Sequence, residues 1–174
     1  MSDLAVYRTA DPSVLDAYAA AQAALLAYSR TVEETLERLG AGSWPRMIST
    51  GYRPGRLLGL KPSGGDVPAG WRVDARSGFA VPDLRTTAGR EARKALDAVR
   101  YPGDPRHALP GMPSEVMVPG RLLTCGAERI GDVLYVTWTG DPSGAARIDS
   151  ALWARCRLSE YYAAVEQAGT GDAS

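Results

Sequence analysis

Apolar residues recur alternately four and three positions apart at Val14, Tyr18, Ala21, Leu25, Tyr28, Val32, Thr35 and Leu39. That spacing lays one continuous stripe along an α-helix, and Leu15, Leu26 and Leu36 widen it. Asp11 is a favoured N-cap, Pro12 gives up no hydrogen bond at the first helical position, and Gly40 marks the end. A helix of this length runs roughly 40 Å at 1.5 Å per residue. Its stripe can pack against the rest of the fold. It can also form a seam with a second copy through Val14, Tyr18, Leu25, Val32 and Leu39, because a short coiled coil needs the same spacing.

From Trp44 to Pro82 the pattern shortens to apolar runs cut by Gly and Pro. Strands are predicted over 46–50, 56–60, 71–73 and 79–81, with turns at Pro54-Gly55, Ser63 to Asp66 and Arg76 to Gly78. Thr86 or Thr87 can cap a second helix with Ala92, Ala95, Leu96 and Val99 inside, Arg90, Arg93, Lys94 and Arg100 outside, and Tyr101-Pro102 at its end. Residues 101–120 hold five prolines and no period; an irregular loop of that length is often functional or clamped over something.

Strands over 121–129 and 133–139 flank Gly131-Asp132, a pair suited to a two-residue hairpin turn, and Leu134, Val136 and Trp138 alternate with Val133, Tyr135 and Thr137. A last helix is expected to open at Asp141-Pro142 or at Asp149. Its stripe would be Ile148, Ala151, Ala154, Leu158, Tyr161 and Val165, and its end would precede Gly169. Trp153, Tyr161 and Tyr162 offer more aromatic surface than one stripe can bury, so they either wedge against the sheet or serve a partner. Together these elements predict an α+β fold, a twisted antiparallel sheet packed by a long N-terminal helix, a middle helix and a C-terminal helix. The expectation is one globular domain over residues 1–174, with 1–10 and 169–174 frayed.

Composition narrows the function classes. Twenty cations balance twenty acids, which excludes a polycation built for nonspecific nucleic-acid binding. All the cations except Lys61 and Lys94 are arginines, which reads first as the codon bias of a GC-rich bacterial or phage genome. Cys125 and Cys156 stand far apart with no Cys/His cluster around them, so buried reduced thiols are expected. The first residues lack a basic segment followed by an apolar one, and no apolar run approaches 18 residues. A cytoplasmic protein without membrane contact is the expectation.

Catalytic motifs are sparse. His107, the single histidine, lies in the proline-rich loop, and with Glu115 it is the one candidate acid–base pair for an enzyme site beneath that loop. Asp66, Asp74, Asp83 and Glu115 are scattered without metal-ligand spacing, so no metal is expected. In Lys61 to Asp66, KPSGGD, the lysine precedes the glycines, the reverse of a phosphate-gripping loop, and no dinucleotide fingerprint occurs; no cofactor is expected.

Charge placement says more. Residues 46–106 carry 12 cations and 6 acids, net +6, and the remainder carries 8 and 14, net −6. Within GYRPGRLLGLKPSGGD, residues 51–66, Arg53 and Arg56 flank a Pro-Gly turn and Lys61 follows a short apolar strand. Guanidinium beside an aromatic face is the combination that grips phosphate while stacking on a base.

The reading carried forward is non-enzymatic binding of a phosphate-bearing ligand, a nucleotide or a nucleic-acid segment. Arg53, Arg56, Lys61 and Arg72 would take phosphate, and Trp71 or Tyr52 would be the stacking platform. The alternatives are an assembly or accessory factor of a bacterium or phage acting through the first helix, and the small enzyme built on His107 and Glu115.

Overall fold

The computed structural model describes residues 5–48, 56–62, 67–103, 109–113, 126–138 and 145–171. Its first ordered element corrects an expectation. Ala5–Thr9 (β1) is not a frayed end but an inner strand, paired antiparallel with Val133–Trp138 (β7) on one side and Ala154–Cys156 (β8) on the other. All of its residues except Arg8 are buried.

The chain divides into two compact units, residues 1–22 with 104–174, and residues 23–103. In the first unit, Ala127–Ile130 (β6) completes a four-stranded antiparallel sheet of order β6-β7-β1-β8. The predicted hairpin is present: Ile130 faces Val133 across Gly131-Asp132, and Gly131 supplies the positive φ of +58° that the turn needs. Successive side chains of a strand point to opposite faces, and both faces of this sheet are covered.

Leu134, Val136, Ala5 and Tyr7 pack against Val14 and Leu15, the first turn of the helix Pro12–Arg38 (α1). Leu109, Met112, Ile148 and Trp153, from two loops, complete that core. On the other face Val6, Tyr135 and Cys156 meet Leu158, Tyr161 and Ala164 of the helix Leu158–Gly171 (α3).

The expected last helix is therefore two elements. Residues 148–153 turn so that Ile148 and Trp153 bury, with Asp149 accepting from Ala151 N–H at 2.9 Å, and the alternating run Ala154, Arg155, Cys156 forms β8. α3 starts afterwards, where the Arg157 backbone N–H donates to Glu160 Oε2 at 3.3 Å, half of a capping box, and it runs through Gly169 to Gly171. Part of the proline-rich loop is indeed clamped. The Trp153 indole N–H donates to Pro110 O at 2.8 Å, Asp149 N–H donates to Gly111 O at 2.8 Å, and Leu109 and Met112 are buried.

Tyr161 donates to Glu128 Oε2 at 2.6 Å, tying α3 to β6, and this bond to the carboxylate pushes its phenol up to about 12. Tyr162 remains exposed. Cys156 is a free, buried thiol pushed up by desolvation, while Cys125 lies outside the described residues.

In the second unit Arg46–Ile48 (β2), Leu57–Leu60 (β3), Trp71–Val73 (β4) and Ala80–Pro82 (β5) form another antiparallel sheet, of order β2-β3-β5-β4. The strands thus belong to two sheets, within the α+β class the sequence predicts. The inner face packs on the later turns of α1 and on Thr87–Ala98 (α2): Tyr28, Val32, Leu36, Leu60, Trp71, Ala80 and Ala92 are its buried core.

α1 stops as Gly40 predicts. Gly40, at φ +73°, lets Ala41 N–H reach Leu36 O at 2.8 Å and Gly40 N–H reach Glu37 O at 3.0 Å, the paired bonds of a Schellman end. Asp11 accepts from Ser13 N–H at 2.9 Å as the N-cap.

Most of the helical stripe packs into these cores. Val14 and Val32 are buried in the first and second core, and Tyr18 donates to Ala127 O at 3.2 Å. Leu39 packs on the second core, and Leu25 is half-buried. Among the described residues no helix is long and apolar enough to cross a membrane.

Candidate nucleic-acid interface

The pleat decides which of the predicted site residues can act together. Leu60 pairs with Ala80, Ala80 with Val73, and Arg72 with Val81. Leu60, Ala80 and Trp71 turn inward, so Gly59, Lys61, Phe79, Val81 and Arg72 take the outer face.

This separates Trp71 from Arg72. Trp71 is 8% exposed and meets Trp44 edge-on, with ring centroids 5.9 Å apart and planes at 75°. It is a core residue, not a stacking platform. Arg46 pairs with the inner-face Leu60 and its guanidinium is bonded to Glu33 of α1, so it too stays away from the outer face. Arg53 and Tyr52 lie outside the described residues, as do His107 and Glu115.

Three predicted cations remain exposed: Arg56, Lys61 and Arg72. Lys61 and Arg72 share a face. Between them stands Phe79, a residue the composition-led reading passed over. Its ring lies over Gly59, where an added Cβ would come within 2.9 Å of Phe79 Cδ2, so glycine at 59 is what lets the ring settle on the sheet.

The phase of the strands could have found it. If Trp71 and Ala80 face in, then Arg72 and Phe79 must face out. β3 adds an apolar margin: its register shifts between Met47 and Ile48, which leaves Leu58 unpaired and 55% exposed beside exposed Met47.

At the Arg72 end the face runs into an open pocket of about 280 Å³ lined by Arg72, Asp83, Leu84 and Arg85. Arg85 grips Asp83 with both arms, Nε to Oδ1 and Nη2 to Oδ2 at 2.9 Å each. This leaves three of its five N–H donors free of that pair. Those bonds hold the Asp83 carboxyl down to about 2, from an ordinary value of 3.8. The next residues are built tightly: Thr86 Oγ1 donates to Asp83 O at 2.9 Å and accepts from Gly89 N–H at 3.0 Å, capping α2.

A carboxyl depressed on folding contributes stability that is full above its unfolded value and lost as pH falls through its folded one. The difference in urea midpoint between wild type and Asp83→Asn should accordingly be constant from neutral pH to about 4. It should shrink between about 4 and 2; a difference undiminished at pH 2 would mean that Arg85 does not hold the carboxylate in solution.

Among the described residues Lys61 and Arg72 make no ion pair. The carboxylates nearest Arg72 are both engaged, Asp83 by Arg85, and Asp74 by Ser77, whose N–H and Oγ–H donate to it at 3.1 and 2.7 Å. No group of three or more His, Cys, Asp or Glu that could hold a metal occurs among the described residues. Comparison with protein-family models, with curated proteins and with solved structures finds no match to this chain.

Proposed function

We propose that the second unit binds a phosphate-bearing ligand, a nucleotide or a nucleic-acid segment, on the outer face of its sheet and performs no chemistry on it. The observation that supports this is the placement of Lys61, Phe79 and Arg72 toward one face, with Lys61 directly after β3, Arg72 on β4 and the Phe79 ring directly before β5, the strand between them. Phosphate oxygens would fall to Lys61, Arg72 and the spare donors of Arg85, with Arg56 a further cation before β3. Phe79 takes the stacking role that the burial of Trp71 forbids. The proposed setting is cytoplasmic. Self-association through α1 draws less support, since Val14 and Val32 are buried and the other seam residues, Tyr18, Leu25 and Leu39, are half-buried.

The test is a salt titration of binding to adenosine triphosphate and to a short labelled oligonucleotide, with wild type and a Lys61→Ala, Arg72→Ala double variant. At low salt at least one probe should bind. The double variant should weaken binding about tenfold or more, and the log–log salt slope should fall by on the order of one for each phosphate contact removed. Absence of binding by both probes, or equal binding by the variant, would end the proposal.

A further inference from the structure

Resting on that reading, we infer that the ligand is a single-stranded nucleic acid laid across the sheet, not a free nucleotide. Small-molecule sites enclose most of their ligand, within cavities of roughly 300–1,000 Å³. Here the pocket at the Arg72 corner is about 280 Å³ and open, and the rest of the site is a sheet face bearing half-buried Phe79 and Val81 beside exposed Met47 and Leu58. A mononucleotide on such a face would leave much of its surface in water. A strand gains from each successive contact.

The layout suits a strand in three further ways. Neighbouring β-strands lie about 4.8 Å apart and a strand rises about 3.4 Å per residue, so Lys61 just after β3 and Arg72 on β4, two strands and two register positions apart, are separated by roughly 12 Å, with Phe79, immediately before β5, between them. A backbone crossing the sheet can then offer one phosphate to Lys61 and another to Arg72 while the intervening base lies on the ring. Stacking of this kind accepts every base, because each has a π face.

Charge also selects the occupant. Lys61, Arg72, Arg76 and Arg85 stand against Asp74 and Asp83, a net of +2, and both carboxylates are already hydrogen-bonded within the sheet and its turns. An apolar protein surface covering the same face would bury Lys61 and Arg72 without counter-charge, which is costly. A polyphosphate backbone supplies that charge. A duplex, with its bases stacked inside, cannot offer one to Phe79.

Fluorescence anisotropy decides the matter, with labelled ten-residue oligothymidylate and oligouridylate, a matched ten-base-pair duplex, and adenosine triphosphate as competitor. Either single strand is expected to bind at least tenfold more tightly than the duplex or the triphosphate. Phe79→Leu, which keeps apolar bulk over Gly59 but removes the ring, should weaken strand binding about tenfold, and Phe79→Tyr should restore it; thermal unfolding of both variants confirms that they fold.

Triphosphate or duplex bound as tightly as the strands, or Phe79→Leu bound like wild type, overturns the single-strand assignment while leaving phosphate binding intact. No binding of any probe overturns both.

Discussion

Deletion of residues 1–9 should leave the first unit unable to fold. β1 lies between β7 and β8, with five register pairs to one and three to the other, so its removal opens the sheet in the middle instead of trimming an edge. Val6 and Tyr7 are buried, on opposite faces, and burying side chains of that size is worth about 2 kcal/mol each. A ladder hydrogen bond adds about 1 kcal/mol, and both flanking strands lose theirs. The total approaches the whole stability of a typical domain, about 5–15 kcal/mol. Near-UV circular dichroism and urea unfolding of the truncated chain should show the loss of the Trp153 environment. A truncated protein that keeps a cooperative transition for this core would mean β1 is dispensable.

Gly89→Ala should be the most damaging single methyl group that can be added to the second unit. A Cβ there would stand 2.0 Å from the Asp83 carbonyl oxygen and 2.5 Å from its carbon, and both are backbone atoms that no rotamer change can move. The Asp83 backbone is fixed in turn, its N–H donating to Gly70 O at 2.8 Å and its carbonyl accepting from Thr86 Oγ1. Relief requires shifting α2 away from β5, at a cost of about 3 kcal/mol or more.

Gly40→Ala is the informative contrast. Its φ of +73° is unfavourable to alanine, but no atom lies within 4 Å of the added carbon, so only the left-handed strain of roughly 1–2 kcal/mol applies. Thermal melts of the two variants side by side should rank them in that order. Equal losses would show that the Asp83 contact yields more easily than its geometry implies.

Helix starts and stops were readable because their chemistry is local. Asp11-Pro12, Gly40 and Thr86 each act within a few residues, and each caps or ends a helix as the sequence implies. The Gly131-Asp132 hairpin was readable for the same reason.

β1 was not. Its Ala5, Val6, Tyr7 and Thr9 are buried because the strand is central and both faces of its sheet are covered, which erases the alternation that betrays a half-exposed strand. The last helix was overextended because Ile148, Ala151 and Ala154 fall at helical spacing by coincidence. The true signal there is the alternation Ala154, Arg155, Cys156.

Trp71 and Arg72, both expected in the ligand site, are adjacent in the chain. In a strand adjacency means opposite faces, so the ring on the face of Arg72 is Phe79, immediately before the neighbouring strand. Which strands share a sheet depends on pairings distant in the chain, and nothing local in Trp71–Val73 or Val133–Trp138 announces its partners.

The place of β1 also fixes an order of events on the ribosome. Its partners β7 and β8 begin at residues 133 and 154, after residues 23–103 of the second unit have all been made. At 5–20 residues per second the N-terminal strand waits on the order of ten seconds for its first neighbour, while the polypeptide that will separate them can already collapse into its own structure. The sheet containing β1 is therefore the one assembled last, and its closure joins strands synthesised at widely separated times.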